Sequence, residues 1–190
     1  MGGANHLAQI IFERIFHSSQ YLHSFAGEMK QFPASHMTQN FIIREYRDEN
    51  FNAVTILWRI SREKSLPEFQ REKGHFFYED QDYFRDQVLT KNDVWVVEMN
   101  NQPVALMAME KDFIDQLYIH PDYQRRGIGE ALLNFARGQS PQHLWLYTLQ
   151  INVAARAFYE KNGFLAEKFG VSPPPENEPD VEYHWRRTNP

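Results

Sequence analysis

The chain has 190 residues, of which 42% are hydrophobic and 24% are charged, and its formal net charge at pH 7 is −5. This length and composition are typical of one globular domain with a sizeable core, with room for an extension. The negative net charge argues against nucleic acid as the main partner. No cysteine is present, which excludes disulfides, thiolate metal ligands and a cysteine nucleophile.

The N-terminal segment differs in character from the rest of the chain. Residues 1–37 are predicted to be an extension with an amphipathic helix around Leu7–Leu22, and residues 38–190 the main domain. Two origins of the extension stay open. It is either a genuine helix or a segment foreign to the natural protein, because Ser35-His36-Met37 resembles a cloning junction.

The apolar stretches are too short or too interrupted to cross a membrane. The most apolar N-terminal run, residues 8–16, contains Glu13 and Arg14 and lacks the form of a secretory signal. We therefore expect no membrane partner and a cytoplasmic location. The sequence leaves open whether the chain forms a homodimer.

From residue 41 onward the hydrophobic pattern is regular. Residues 41–46 predict a strand, and a helix capped by Asp48 or Asn50 follows, since its apolar residues recur with helical spacing. Pro67 is expected to close this region, and residues 79–89 predict a second helix. The chain therefore begins with a βαα pattern.

Strands dominate the middle of the chain, and strands and helices alternate towards its end. Two β-rich runs flank Asn100-Asn101 and predict a hairpin. Gly138 is expected to stop one helix, and Asn162-Gly163 to end another through a left-handed cap. The predicted strands are 94–97, 104–109, 113–120, 144–149, 164–169 and 181–186, and the predicted helices are 128–136 and 152–161. This order predicts an α/β fold with a mixed sheet and helices packed against it.

One glycine-rich, basic segment lies between a predicted strand and a predicted helix. It reads Gln124-Arg125-Arg126-Gly127-Ile128-Gly129. The first N–H groups of a helix lack partners and point at anions, and glycines let the backbone approach closely. Two arginines supply charge-assisted contacts. The segment therefore favours a diphosphate site, and the alternative is a glycine-bearing loop with solvated arginines.

Two longer blocks around this segment carry a family resemblance. The first reads DQLYIHPDYQRRGIGEALLNFA and the second LYTLQINVAARAFYEKNGF. Together they resemble the GNAT acyltransferase superfamily, whose members use acetyl-coenzyme A (acetyl-CoA). The family's loop pattern matches Gln124, Gly127 and Gly129, and its later pattern matches the following residues: Asn152, Ala155, Phe158, Tyr159, Gly163 and Phe164. The resemblance extends over about residues 40–187 and implies a mostly antiparallel central sheet with a splayed middle.

The resemblance implies a cofactor site for acetyl-CoA as co-substrate, with no metal. The loop amides from Gln124 to Gly129 would bind the pyrophosphate, and the main chain around Leu117, Tyr118 and Ile119 would pair with the pantetheine arm like an added strand. The strand-addition groups are those of Leu117 and Ile119. The implied cofactor-binding residues are Leu117, Tyr118, Ile119, Gln124, Arg125, Arg126, Gly127, Ile128, Gly129, Asn152, Arg156 and Phe158.

Three of these residues lie on the later helix and have alternative structural roles. Asn152 is either a helix N-cap, a contact to the coenzyme arm, or both. Arg156 is either a solvated helix residue or a phosphate partner. Phe158 is expected to pack beneath the site rather than to touch substrate.

Catalysis requires a proton donor and a proton acceptor. The resemblance places Tyr159 near the thioester sulfur, where its phenol, with a pKa of about 10, would protonate the leaving thiolate. A primary amine with a pKa of about 10.4 has to lose a proton before it attacks. Asp115, which shares strand parity with Leu117 and Ile119, and Glu110 are the candidate bases.

The sequence thus predicts an N-acetyltransferase that moves an acetyl group from acetyl-CoA directly to a primary amine of a small molecule. The alternatives are an N-acetyltransferase for proteins or peptides, and a non-catalytic acyl-CoA-binding module. The acceptor pocket is expected between the two early helices and residues 173–185. Its candidate residues, which combine acidic and aromatic side chains suited to a cation, are Trp58, Trp95, Glu178, Asp180, Tyr183 and Trp185.

Overall fold

A computed structural model describes residues 41–74, 76–174 and 177–188 of the chain. These residues belong to one compact unit, Asn40–Pro190. The predicted extension of residues 1–37, its helix and its boundary with the main domain lie outside the described residues. Within the described ranges, no helix combines the length and apolar character needed to cross a membrane.

Seven strands form one mixed sheet flanked by helices, which confirms the predicted α/β fold class. The strands are β1 (Ile42–Glu45), β2 (Asp93–Met99), β3 (Gln102–Glu110), β4 (Phe113–Ile119), β5 (His143–Leu149), β6 (Leu165–Val171) and β7 (Pro179–Arg186). Their order across the sheet is β1-β2-β3-β4-β5-β7-β6. Neighbouring strands are antiparallel except β4 and β5, which are parallel.

The helices are α1 (Phe51–Ser65), α2 (Pro67–Lys73), α3 (α-helical over Phe77–Tyr83, π-helical over Phe84–Val88 and α-helical again over Leu89–Lys91), α4 (Ile128–Gln139) and α5 (Val153–Lys161). The first helix ends at Ser65, just before Pro67, as expected, and Pro67 also begins α2, because a proline at the first helical position loses no intrahelical hydrogen bond. Asn50 stands at the N-cap of α1, yet neither its side chain nor that of Asp48 caps the helix.

The sheet separates two hydrophobic cores. On one face, α1 and α3 bury Val54, Trp58 and Phe84 against β2 and β3. On the other face, α4 and α5 bury Leu132, Tyr159 and their neighbours against the strands from β2 to β7. We call the first face the α1 face and the second the α4 face. The site described below is therefore flanked by a different set of packed side chains on each face of the sheet.

The middle of the sheet is open, as the resemblance implied. Strands β4 and β5 are paired at one position, Phe113 with Trp145, and diverge beyond it. The adjacent pairs are continuous, since β3 pairs with β4 from Glu110 to Ala105 and β5 pairs with β7 along its whole length. A gap therefore opens between β4 and β5 towards the C-terminal end of β4.

Gly138 lies inside α4 and does not end it, contrary to the expected stop, because the helix continues to Gln139 and Ser140 follows as the C-cap. A Cβ at Gly138 would meet no atom within 4 Å. We therefore expect Gly138→Ala to raise the free energy of unfolding by about 0.5–1 kcal/mol, since glycine loses more backbone entropy in a helix. Urea melts of the two proteins check this. A destabilised variant would contradict it.

Candidate active site

The loop between β4 and α4 presents a row of unpaired backbone N–H groups. After the 3-10 turn Pro121–Tyr123, Arg125 has φ +58° and Gly127 has φ +80°. Within the described part of the chain, the N–H groups of residues 125–130 have no hydrogen-bond acceptor, and the first paired amide is Ala131, which donates to Gly127 O. The N-terminus of α4 adds its positive dipole. Such a concave row of donors binds anions.

The conformation of this loop requires glycine at two positions, for a different physical reason at each. Gly127 has left-handed backbone, and a Cβ there would meet nothing within 4 Å, so space lies open before it. A Cβ at Gly129 would come within 2.9 Å of Phe158 Cζ and 3.1 Å of Ile119 Cδ1. Because Gly129 has no side chain, the start of α4 packs directly against Phe158. This agrees with the expectation that Phe158 packs beneath the site.

The side chains of the loop divide into structural and exposed ones. Gln124 Nε2 donates to Ile119 O over 3.3 Å, which ties the loop to the end of β4. Arg126 lies over the ring of Tyr123, with 5.0 Å from Cζ to the ring centroid, and Arg125 is exposed. Ile128 is buried in the core, so only its main chain faces a ligand. The loop thus offers two exposed guanidinium groups beside the row of amides.

The edge of β4 supplies further main-chain groups that do not pair with β3. His120 N donates to Val104 O, and since alternate residues of a strand face opposite neighbours, the groups of Leu117 and Ile119 point into the gap. Ile119 O accepts from Ser61 Oγ at 3.1 Å in addition to Gln124. The same alternation turns the main chain of Tyr118 towards β3, and contact of Tyr118 with the coenzyme stays a prediction. Its ring packs against Trp58.

Tyr159 is buried, with 8% of its surface exposed, between Phe158, Phe164 and Tyr183. Its hydroxyl has no hydrogen-bond partner among the residues that the structure describes. Burial raises the pKa of the Tyr159 phenol above its ordinary value, and the negative charge that Tyr118 acquires on ionisation adds to the increase. The phenol is therefore protonated at neutral pH, and its proton is free to be donated to a ligand.

Asn152 and Arg156 hold the start of α5. Asn152 Oδ1 accepts from Ala155 N over 3.2 Å, so the predicted N-cap role is confirmed. Arg156 Nε donates to the Tyr183 hydroxyl and Nη1 to Gln150 O, both over 3.3 Å. Of the two alternatives for Arg156, a solvated helix residue or a phosphate partner, these hydrogen bonds do not fit the first. Contacts of either residue with a coenzyme stay predictions.

The strand-parity argument for Asp115 is wrong, because β4 contains a bulge. Met109 pairs with Ile114 and Ala108 with Gln116, which leaves Asp115 without a counterpart on β3. Ile114 and Leu117 pack in the core of the α4 face, whereas Asp115 Oδ2 accepts from Asn92 Nδ2 over 3.0 Å. Asp115 therefore does not share the side of Leu117 and Ile119. Glu110 is exposed and ends β3 before the turn into β4.

This geometry predicts that Asp115 is structural. Burial raises the pKa of the Asp115 carboxyl, so its neutral form is favoured in the folded state; the stability it contributes is present at low pH and lost as pH rises through its folded pKa. We expect Asp115→Asn to raise the melting temperature more at pH 7 than at pH 4, with turnover changed less than about twofold. Thermal melts at both pH values and a turnover assay check this. A large loss of turnover would restore the carboxylate as a base.

Several of the residues predicted to line the acceptor pocket pack against other side chains of the protein instead. Trp58 and Tyr183 are buried core residues, and Trp95 packs edge-on against Phe135. Trp185 lies under Arg137, with 5.0 Å from Cζ to the ring centroid. Asp180 is buried, and Glu178 N donates to the Ser172 hydroxyl. The tryptophans and Tyr183 therefore serve packing.

Sequence reasoning missed a polar surface on the α1 face of β5 and β7. It is formed by His143, Trp145 and Tyr147 on β5 and by Glu182 and His184 on β7. The alternation of side chains along β5 and β7 could have indicated which residues share this face on each strand. Their placement side by side depends on the pairing of β5 with β7, which their order in the chain does not reveal. No set of three or more histidine, aspartate or glutamate residues in the described ranges is arranged to hold a metal ion.

Comparisons with known proteins agree with this geometry. A match to the family described as an acetyltransferase (GNAT) domain extends over residues 90–165. The chain is 30% identical over 124 residues to the peptidyl-lysine N-acetyltransferase YiaC of Escherichia coli, covering 65% of this chain and 82% of YiaC. It is 35% identical over 81 residues to the uncharacterized N-acetyltransferase YafP of Escherichia coli, covering 42% of this chain and 51% of YafP, about half the length of that relative.

Solved structures share the fold. The apo form of YjaB from Escherichia coli has a TM-score of 0.63 and 24% identity, covering 76% of this chain and 97% of YjaB. The PaiA N-acetyltransferase from Thermoplasma acidophilum, in complex with coenzyme A, has a TM-score of 0.61 and 16% identity, covering 78% of this chain and 99% of PaiA. With the splayed sheet and the amide-lined loop, these matches lead to one conclusion: the chain belongs to the GNAT acetyltransferase family.

Proposed function

We propose that this protein is an N-acetyltransferase that transfers an acetyl group from acetyl-CoA directly to a primary amine. One observation carries the proposal: the unpaired N–H groups of residues 125–130 lie beside the gap where β4 parts from β5. An elongated ligand with a diphosphate and a hydrogen-bonding arm matches this arrangement of donors and strand edge. The thioester of acetyl-CoA supplies the activated acetyl group.

Two parts of the site would hold the coenzyme. The amides of residues 125–130 and the guanidinium groups of Arg125 and Arg126 would bind the pyrophosphate, and the main-chain groups of Leu117 and Ile119 in the gap would pair with the pantetheine arm. Asn152 Nδ2 has no partner within the described residues and is available to the same arm. PaiA, which has the same fold, was solved in complex with coenzyme A.

The chemistry of the chain supports direct transfer. The absence of cysteine leaves no thiol on the protein to carry the acetyl group. Tyr159 keeps a proton at neutral pH on a hydroxyl without a partner in the described part of the chain, and that proton would be donated to the sulfur as it leaves. A module that only binds acyl-CoA would have no use for this donor, which favours the catalytic alternative.

The acceptor has two candidates. A small-molecule amine is the first, and its recognition by acidic and aromatic groups is the reason for the prediction. The ε-amine of a peptide lysine is the second, because YiaC and YjaB of Escherichia coli are both named peptidyl-lysine N-acetyltransferases. The cytoplasmic location and the homodimer stay predictions, as do the absence of a metal, of a nucleic-acid partner and of a membrane partner.

A screen with acetyl-CoA and purified full-length protein tests the proposal. Small amines, polyamines and lysine-containing peptides are supplied in parallel, thiol release is measured, and acetylated products are identified by mass spectrometry. We expect thiol release that depends on one class of acceptor. Calorimetry with acetyl-CoA is run alongside; binding without release for every acceptor would favour the non-catalytic module, and absence of binding would reject the coenzyme site.

A further inference from the structure

A continuous chain of five polar side chains crosses the α1 face of β5 and β7. Its order is Asp112, His143, His184, Glu182 and Tyr147. Asp112 Oδ2 lies 2.8 Å from His143 Nδ1, and His143 Nε2 lies 2.8 Å from His184 Nδ1. His184 Nε2 lies 2.7 Å from Glu182 Oε1, and the Tyr147 hydroxyl donates to Glu182 Oε2 over 2.8 Å. We call these residues the histidine relay.

The three histidine contacts of the relay fix how many N–H protons it needs. Each of its three histidine contacts needs one proton, but two neutral imidazoles carry one N–H each and therefore supply two. With both carboxylates ionised, all three contacts are hydrogen bonds only when the imidazole pair carries a third proton. Loss of that proton leaves one contact in which two acceptors face each other at hydrogen-bond distance. The relay is thus built to exchange one proton.

The two ends of the relay have different surroundings. Tyr147 is 48% exposed and lies on β5 two residues beyond Trp145, where the gap between β4 and β5 has opened. Its ring centroid is 6.2 Å from that of Phe113. Asp112 lies in the turn between β3 and β4, and 40% of its side chain is exposed. One end is therefore an exposed aromatic side chain on the strand that borders the gap, and the other end is exposed in the turn between β3 and β4.

Neighbouring charges hold the carboxylates of the relay ionised. Glu182, whose side chain is 7% exposed, has its pKa lowered to about 2, with hydrogen bonds from Lys168, His184 and Tyr147 as the favourable causes. Hydrogen bonds from His143 and Trp145 lower the pKa of Asp112. The other charged groups near the relay are Glu167 and Lys168 on β6 and Asp180 and Arg186 on β7, and the charge of Asp180 acts on Tyr147.

We infer that the histidine relay accepts the proton that the amine acceptor loses before it attacks, and passes that proton to solvent at Asp112. The inference rests on the proposed function. The N–H bond of the ammonium group breaks as Tyr147 O takes that proton and gives its own to Glu182. The Glu182 carboxyl group turns and delivers the proton to His184 Nε2. A proton then leaves at the Asp112 end, which restores the two-proton state and leaves a neutral amine.

This assignment gives each member of the relay a distinct role. Tyr147 is the member that would touch the acceptor, and its ring and the neighbouring aromatic residues Phe113 and Trp145 would face the cation. Glu182, His184, His143 and Asp112 act through Tyr147 and are positioning and proton-transfer residues. The acceptor class is therefore an amine that arrives as an ammonium ion.

Two substitutions interrupt the relay, and one matched substitution spares it. His143→Gln removes a ring from its middle, and Glu182→Gln removes the carboxylate that accepts from Tyr147. Glu167→Gln is the control, because Glu167 Oε2 also approaches His184 Nε2 but stays at 3.8 Å, beyond hydrogen-bond distance. All three replace side chains outside residues 124–129, which we call the coenzyme loop, and calorimetry with acetyl-CoA checks that each variant binds the coenzyme.

The readout is kcat/KM for the amine as a function of pH, with acetyl-CoA saturating. We expect His143→Gln and Glu182→Gln to lower kcat/KM about tenfold near pH 7, and the deficit to shrink towards pH 10, where the free amine needs no base. Glu167→Gln is expected to match the wild type. A deficit that does not change with pH, or an equal deficit in Glu167→Gln, would overturn the relay.

A second measurement does not depend on activity. The ¹⁵N spectra of the imidazoles report how many ring nitrogens carry protons. Because the relay accepts a proton only when one of its three histidine contacts lacks a hydrogen, we expect two protonated ring nitrogens across His143 and His184 in the resting protein at the pH of the assay. Three protonated ring nitrogens in the resting protein would reject the inference even in an active enzyme, because His184 Nε2 could then take no further proton. Failure of the proposed function is seen separately, as wild-type protein that releases no thiol with any amine.

Discussion

Substitution of Gly127 by valine is expected to weaken acetyl-CoA binding about 100-fold. A β-branched residue at φ +80° costs on the order of 1–2 kcal/mol, and relief of this strain turns the neighbouring amides away from their common focus. The relaxed loop loses about one charge-assisted hydrogen bond to the diphosphate, which costs about 1.5–3 kcal/mol of binding free energy. Because each 1.4 kcal/mol is about tenfold in affinity, a loss near 3 kcal/mol corresponds to about 100-fold. Isothermal calorimetry with acetyl-CoA measures it.

Gly74 offers a matched control for this experiment. It also has left-handed backbone, at φ +63°, and a Cβ there would likewise meet no atom within 4 Å. It ends α2, away from the coenzyme loop. Gly74→Val should therefore lower the melting temperature by a similar strain yet leave coenzyme affinity unchanged. Equal affinity of Gly127→Val and the wild type would remove residues 124–129 from the coenzyme site.

Substitution of Tyr159 by phenylalanine is expected to lower turnover about 100-fold while acetyl-CoA affinity changes little. The substitution removes only the hydroxyl of Tyr159. Burial keeps this hydroxyl protonated at neutral pH, and it has no hydrogen-bond partner among the described residues. The ring keeps its packing against Phe158 and Phe164, so the fold is unaffected. Steady-state kinetics with saturating acetyl-CoA, together with calorimetry, separate turnover from binding.

Tyr46 is a suitable comparison, because its hydroxyl is also buried and has no hydrogen-bond partner among the described residues. It packs with Phe84 in the core of the α1 face, outside the gap between β4 and β5. Tyr46→Phe should keep full turnover and lose no stability, since a buried unsatisfied hydroxyl is removed. Unchanged turnover in Tyr159→Phe would end its assignment as the proton donor.

The fold was predictable where local chemistry and global structure agree. Alternation of apolar residues located the strands, and Asn100 and Asn101, both with positive φ, formed the expected hairpin turn. Gly163, at φ +82°, ended α5 as its lack of a Cβ allows. Helix boundaries were harder to predict, because Pro67 suits both an interruption and a first helical position.

The site was predictable only in its contiguous parts. Residues 124–129 form a loop whose donors follow from a strand, two glycines and a helix N-terminus, all adjacent in the chain. Asp115 was misplaced because one extra residue in β4 changes which side a side chain faces, and pairing with β3 alone reveals that residue. The histidine relay joins residues 31 and 41 positions apart, and no local pattern connects them.

The amino-acid sequence alone determined the α/β class and the glycine-containing loop of residues 124–129 before α4, because these depend on periodicity and on neighbours along the chain. Only the tertiary structure decided the gap between β4 and β5, the bulge at Asp115 and the joining of Asp112, His143, His184 and Glu182 into one hydrogen-bonded chain. These features depend on which strands pair and in what register. Register is set by the packing of the whole sheet against its two layers of helices, and not by any single segment.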